Sequence, residues 1–368
     1  MRHRRFGEHL TPSTPTQKAE TIDRRGKSEN QKAEIKILTP ELRTPNSKPR
    51  FPNPVNGERR PPGSKPATDC TAPGTGQSSG FMPMPLTILS IQSSVAFGHV
   101  GNSAAVFPLQ RIGVEVWPVN TVHFSNHTGY GSWRGMVLPV DAVTEVIRGI
   151  EERQVLARCG GVLSGYMGDV SLGNIVLETV AKVRFANPDA AYCCDPVMGD
   201  AGRGFFVRPG IPEFMKDHAI PAATIVTPNQ FELEYLANLK INDLASALRA
   251  VDIVAARGPR VVLVTSLRRQ DGADDCIGVL AVAGSEAHLI ETPILPVNVN
   301  GAGDMTAALF FAYWLRIGSI KEALELTIAA VFAVLEATAQ AGEREMQLIE
   351  AQESIANPER RFLARRVR

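Results

Sequence analysis

Cysteine is scarce in this 368-residue chain: there are five, an odd number, and only Cys193 and Cys194 are near each other, as immediate neighbours. Cys70, Cys159 and Cys276 stand alone, and no Cys-x-x-Cys pair occurs. That excludes a disulfide framework and a zinc site of ordinary spacing, and it points to a reducing compartment, the cytoplasm. Long apolar runs are missing too, so neither a secretory signal nor a membrane span is expected. Charge of one sign is also lacking overall, with 39 Lys and Arg against 38 Asp and Glu. The basic pairs Arg4-Arg5, Arg24-Arg25 and Arg59-Arg60 lie apart, are interrupted by acids and have no interleaved aromatics. They argue against a nucleic-acid or membrane arm. There is no internal repeat.

The near-neutral total hides an uneven chain. Residues 1–83 hold 15 basic against 8 acidic residues and 12 of the 26 prolines, which leaves 24 basic and 30 acidic residues in the body, a net charge of −6. Without a periodic apolar pattern such a segment cannot bury enough surface to offset its ordering entropy, so it is expected to be a disordered, Pro-rich extension. Met82 and Met84 stand just before the first strand pattern. An over-extended start accounts for residues 1–81 on this reading, and a targeting segment is the alternative.

The body is organised around Asn300-Gly301-Ala302-Gly303-Asp304-Met305-Thr306, a Gly-rich turn running into the apolar pattern Ala307 to Leu315. Small residues at the start of a helix let backbone N–H groups converge where the helix dipole favours an anion such as a phosphate. Asp304 in the first turn would repel that anion, unless its task is to take a proton from an attacking alcohol. The competing reading is an ordinary Gly-rich cap with Asp304 stabilising the dipole.

Before that turn, strand and helix patterns alternate from Leu86 onward, which predicts an α/β fold with a mostly parallel sheet. Strands are expected at Leu86–Ile91, Val114–Val119, Gly161–Tyr166, Ala190–Asp195, Ala223–Val226 and Val261–Val264, and a more antiparallel pair at Gly278–Val282 and Ala287–Thr292. Helices are expected at Asn102–Arg111 with Asn102 as cap, near Asp141–Glu152, Ser171–Phe185 and Leu244–Arg257, from Gln230, and at Lys321–Ala339 and Glu343–Ser354. Asn120 to Trp133 has no period and reads as a polar, aromatic recognition loop. Asp195 and Asp200 beside a Pro/Gly turn suit Mg²⁺, with turn formation as the alternative. Glu232 suits metal or nucleotide chemistry, with helix capping as its competitor. Thr265 and Ser266 end a strand on the same edge, where open parallel sheets bind ligands.

Taken together, Ser90-Ile91-Gln92-Ser93, Gly101-Asn102-Ser103, Phe124-Ser125-Asn126-His127-Thr128-Gly129-Tyr130, Ser164-Gly165-Tyr166, Cys194-Asp195-Pro196-Val197-Met198-Gly199-Asp200, Thr227-Pro228-Asn229-Gln230-Phe231-Glu232 and Gly301-Ala302-Gly303-Asp304 resemble the ribokinase-like superfamily and, within it, the bacterial-type pyridoxal kinases. The resemblance covers the body and none of the extension. It implies a ribokinase-like domain over 84–368, a mostly parallel sheet with helices on both faces, and ATP-dependent phosphorylation of pyridoxal on its 5′-hydroxymethyl group in vitamin B6 salvage. Pyridoxine and pyridoxamine are further candidate substrates. It implies Asp304 as the base and Gly301, Ala302 and Gly303 as the anion hole. The vitamer pocket would be formed by Ser93, Val122, Phe124, Thr128, Gly129 and Tyr166, and Cys194 is a candidate for reversible addition to the aldehyde, with simple packing as its alternative.

On the nucleotide side the same resemblance implies Asp195, Thr227, Asn229, Glu232, Thr265 and Ser266, together with the segment Thr292, Pro293, Ile294 and Leu295. Mg²⁺ would involve Asp195, Asp200, Thr227 and Glu232, and a monovalent cation, K⁺ or Na⁺, belongs near Asp195 and Thr227. A homodimer is implied, with neither nucleic acid nor membrane as partner. The rivals are a hydroxymethylpyrimidine kinase of thiamine synthesis and a non-catalytic protein that stores pyridoxal phosphate.

Overall fold

The structure, a computed structural model, describes residues 85–368; the basic segment 1–83 lies outside the described residues. Its ten-stranded main sheet begins with β1 (Thr87–Val95), followed by α1 (Asn102–Arg111), β2 (Glu115–Phe124), β3 (Gly135–Val137) and α2 (Val140–Glu152). Next come β4 (Cys159–Ser164), α3 (Val170–Ala186), β5 (Ala191–Cys194) and a small separate hairpin of β6 (Gly199–Asp200) and β7 (Gly204–Phe205). Short helices α4 (Ile211–Phe214) and α5 (Ile220–Ala222) lead to β8 (Ile225–Val226), α6 (Gln230–Ala237), α7 (Leu244–Ala255) and β9 (Val261–Leu267). The chain continues with β10 (Cys276–Ala283), β11 (Glu286–Pro293), α8 (Ala302–Ile317), α9 (Ile320–Ala341), α10 (Gln352–Ala356) and β12 (Arg365–Arg366).

The strand order is β12-β11-β10-β9-β8-β5-β4-β1-β2-β3. From β2 through β9 every neighbour is parallel, and the antiparallel pairings lie at the two margins. The chain moves from β1 to β2 in one direction and then crosses to β4 on the other side of β1. That reversal opens a crevice at the carboxyl ends of β1 and β4, the place where a doubly wound sheet receives a ligand.

Burial on both faces explains why the central strands read as continuous apolar runs. Leu89, Ile91, Val162, Tyr192 and Cys194 pack with α2, α3, α6 and α7, whereas Ile88, Leu163 and Cys193 pack with α1, α8 and α9. The period-two alternation divides each strand between the two layers. Helix α8 is apolar all round, and Met305 through Tyr313 are all buried, as expected of a helix inside a core. None of the described helices is long and apolar enough to cross a membrane.

Several expectations need correction. Strand β2 continues to Phe124, so Asn120 to Phe124 is strand where a loop was expected, and its end pairs with β3. Glu343–Ser354 is mostly turn, with helix only at Gln352–Ala356. Asn102 is not the cap of α1: Gly101 takes that place, and the Asn102 side chain turns inward. Its Nδ2 donates to the Val119 carbonyl at 3.1 Å and to Asn120 Oδ1 at 2.9 Å, while its Oδ1 accepts from Ser90 Oγ at 2.7 Å. Three groups on β1 and β2 are thereby paired with one α1 side chain. Asn102→Ala orphans them, and urea unfolding is expected to register a loss of about 2–3 kcal/mol.

Candidate active site

One cavity of about 300 Å³ opens at the carboxyl edge of the parallel strands. Ser93 reaches it from β1, Val122 and Phe124 from β2, and Tyr166 from the residues after β4. Asp195 and Thr227 directly follow β5 and β8, and Thr265 and Ser266 come from β9. Gly301, Ala302, Gly303 and Asp304 line it from the start of α8. Thr128 lies in the short turn after β2, and the Thr121 hydroxyl holds the backbone of Tyr166 at 2.7 Å. Parallel topology brings these groups together because every strand presents the same end.

The turn before α8 is shaped by a close approach. Gly301 caps the helix at φ 91°, and a Cβ there would lie 1.8 Å from the His99 carbonyl oxygen. Only glycine fits this backbone conformation and this space. Burial lifts the pKa of Asp304 to about 6, against the opposing influence of the Gly101 backbone amide on the facing loop, which favours ionisation. A carboxylate near that value is a competent base at neutral pH.

Two further carboxyls share the site. Asp195 is held by the Thr227 hydroxyl at 3.0 Å, and its pKa is pushed far up by burial, then by Glu232 and Asp304. Glu232 is also raised by burial, although it accepts the amides of Met198 at 2.8 Å and Asn229 at 2.9 Å. The latter bond completes a reciprocal capping box with Asn229, so the capping role of Glu232 is real. In addition, Glu232 ties the turn after β5 to α6. Partial burial works against ionisation of Asp200, but Arg203 overrides it, with Nη2 at 2.6 Å from Oδ2, and the Asp200 pKa falls.

All three raised carboxyls hold a proton more tightly in the folded protein than in the unfolded chain. Their stabilising effect is therefore complete in acid and is lost as pH rises through the folded values, of which Asp304 supplies about 6. Calorimetry of the ligand-free protein is expected to give a lower Tm at about pH 8.5 than at about pH 5.5, and Asp304→Asn should flatten that slope.

Among the described residues, no three carboxylate, histidine or cysteine side chains converge to hold a metal unaided. Four carboxyls nevertheless line the cavity against Arg203, its one arginine or lysine. Such a donor set suits a cation that arrives with an anionic ligand.

Some expected residues lie elsewhere. Cys194 is fully buried, with its sulfur 4.0 Å from that of Met215, and burial pushes its thiol to about 12. It belongs to the core and not to the cavity, which overturns the reading of an accessible aldehyde-binding thiol. Gly129 does not line the cavity but stands behind His127 and Asn300. Thr292 and Pro293 end β11 and Ile294 and Leu295 follow it, on the same sheet edge but outside the cavity. The sequence reading assigned no role to His127, Arg203, Phe206 or Asn300, all of which line it. His127 and Asn300 sit inside the motifs that were singled out. Arg203 had only its place after the Asp200 turn as a signal, and its guanidinium stacks over Phe206 at 4.8 Å.

The family described as phosphomethylpyrimidine kinase matches residues 160–348. A pyridoxal kinase PdxY of Rubrobacter xylanophilus is 63% identical over 283 residues, covering 77% of this chain and 98% of the relative. That of Leifsonia xyli is 52% identical over 282 residues, covering 77% of this chain and all of the relative. The solved pyridoxal kinase of Leishmania donovani in complex with ADP and pyridoxamine superposes with a TM-score of 0.72 at 28% identity, covering 77% of this chain and 99% of that one. Pyridoxal kinase of Trypanosoma brucei gives 0.68, also at 28% identity, over 76% of this chain and 99% of that one. With its parallel sheet, its carboxylate at a glycine-capped helix start and these relatives, this chain belongs to the pyridoxal kinase family.

Proposed function

We propose that the chain transfers the γ-phosphoryl group of ATP to the 5′-hydroxymethyl oxygen of pyridoxal, and also of pyridoxine and pyridoxamine, as a step of vitamin B6 salvage. The observation that carries this reading is the meeting, in one cavity, of Asp304 at the glycine-capped start of α8 with Ser93, Val122, Phe124, Thr128 and Tyr166. Such a pocket offers apolar walls and a few hydroxyls to a flat heteroaromatic ring, and it leaves the alcohol beside a base.

In the proposed step the alcohol proton passes to Asp304, the oxygen–phosphorus bond forms, the bond to the β-phosphate oxygen breaks and ADP leaves. The amides of Gly301, Ala302 and Gly303 face the phosphoryl group as charge develops on its oxygens. Asp195, Asp200, Thr227 and Glu232 are the residues that would hold Mg²⁺, directly or through water; when bound it offsets the charge of the polyphosphate. A monovalent cation, K⁺ or Na⁺, belongs near Asp195 and Thr227. Asn229, Thr265 and Ser266 face the nucleotide, with Thr292 to Leu295 farther along the same edge. We further propose a homodimer and a cytoplasmic setting, which the four free cysteines among the described residues suit. Light scattering should give twice the chain mass.

The match to the phosphomethylpyrimidine kinase description favours hydroxymethylpyrimidine as a competing substrate. Steady-state kinetics with Mg-ATP are expected to give pyridoxal a kcat/KM about tenfold or more above that for hydroxymethylpyrimidine. The reverse order would move the protein to thiamine synthesis. The kinase is assigned to residues 84–368, and removal of residues 1–81 is expected to leave Tm and turnover unchanged; a lost activity would give the extension a role.

A further inference from the structure

One carboxylate outside the cavity lining gathers two of the loops that build it. Glu345 follows α9, and its side chain is only 14% exposed. Its Oε1 accepts from the Tyr130 hydroxyl at 2.7 Å and pairs with His127 Nε2 at 2.9 Å, while Oε2 accepts the His99 amide at 3.1 Å. A Cβ at Gly98 would fall 2.3 Å from Oε2, so the chain leaves room there for this carboxylate. A carboxylate only accepts, hence His127 must donate through Nε2. In a neutral ring Nδ1 then carries the lone pair.

That Nδ1 is buried and has no partner, in a residue 6% exposed that lines the cavity. Leaving a buried acceptor unpaired costs free energy, and the usual reason to retain one is a group that binds there. Gly129 packs close beside it: a Cβ there would sit 2.9 Å from Nδ1 and 2.8 Å from Asn300 Nδ2, too near for any residue with a side chain to leave this ring in place.

We infer that Glu345 is a positioning residue for the vitamer: it fixes the Nε2–H tautomer of His127, so that Nδ1 accepts a hydrogen bond from a donor of the bound vitamer. Through His99 the same carboxylate anchors the loop that carries Gly101 to Asp304. The inference rests on reading the cavity as the vitamer site.

The test uses the full chain labelled with ¹⁵N-histidine, as wild type, Glu345→Gln and His127→Asn, the last assigning the His127 resonances by their loss. In the wild type the His127 ring is expected to be neutral and protonated on Nε2; an imidazolium or the Nδ1–H tautomer would overturn the inference. The wild-type spectrum decides this even if Glu345→Gln does not fold. In Glu345→Gln the KM for pyridoxal is expected to rise about tenfold while that for Mg-ATP stays within about twofold, and Glu345→Gln added to His127→Asn is expected to cause no further rise. Unchanged KM values, or a proportional rise in both with a lower Tm, would reduce Glu345 to a structural brace. A wild type that phosphorylates no vitamer would overturn the reading of the cavity instead.

Discussion

Replacing Asp304 by Asn is expected to lower kcat by about 10³-fold while the dissociation constants for pyridoxal and Mg-ATP change little. The amide keeps the size of the carboxyl but cannot take a proton, and the alcohol is too weakly acidic to attack unassisted. In the wild type, kcat should fall as pH drops through about 6, since protonation of Asp304 removes the base. The variant should lose that limb of the profile. Rapid-quench turnover and calorimetric binding, each across pH, check both statements, and near-normal turnover would take Asp304 out of the base role.

The second large effect belongs to Gly301→Ala. At φ 91° a side chain is strained, by about 1–3 kcal/mol for a non-glycine residue in the left-handed region. Space makes matters worse, because the new Cβ would meet the His99 carbonyl oxygen at 1.8 Å. Relief requires the 97–101 loop or the start of α8 to move. Both carry groups of the site: Gly101, whose amide meets Asp304, and the amides of residues 301–303. A shift of about 1 Å is enough to cost about 10²-fold in kcat, so turnover and Tm should fall together. A variant with wild-type turnover would show that the phosphoryl group does not rest on this turn.

What the sequence made legible follows from where the signal is local. The central strands are buried on both faces, so apolar runs such as Leu86 to Ile91 and Ala190 to Cys194 marked them, and the polar residues at their ends gathered on one edge once the sheet was taken as parallel. Helix α8 was equally plain, because a glycine pair and an uninterrupted apolar stretch lie within 16 residues of each other. The end of β2 was not legible: Pro118, Asn120, Thr121 and His123 break the apolar pattern, and its pairing with β3 is fixed by contacts beyond the local window.

Two-residue strands such as β6 and β7 have no period to detect. The segment after α9 looked helical by composition, yet the Glu345 carboxylate is drawn away to the His127 and His99 loops. That link spans 218 residues, and nothing in either local pattern announces it. For Cys194 the local pattern leaves an accessible thiol and a packed one both open, and the fold favours packing. Cys194 adjoins Asp195, but alternation along β5 turns its thiol into the core while the next residue reaches the cavity.

The central claim is that this cavity moves a phosphoryl group from ATP to a vitamer alcohol. The most direct test is a single-turnover reaction of the full chain, in excess over [γ-³²P]ATP, with Mg²⁺ and pyridoxal, resolved by chromatography and mass spectrometry. The account predicts that the label passes to the 5′-oxygen of pyridoxal, with one ADP formed for each pyridoxal phosphate. Label recovered only as unreacted ATP or inorganic phosphate, with pyridoxal unmodified, would contradict it.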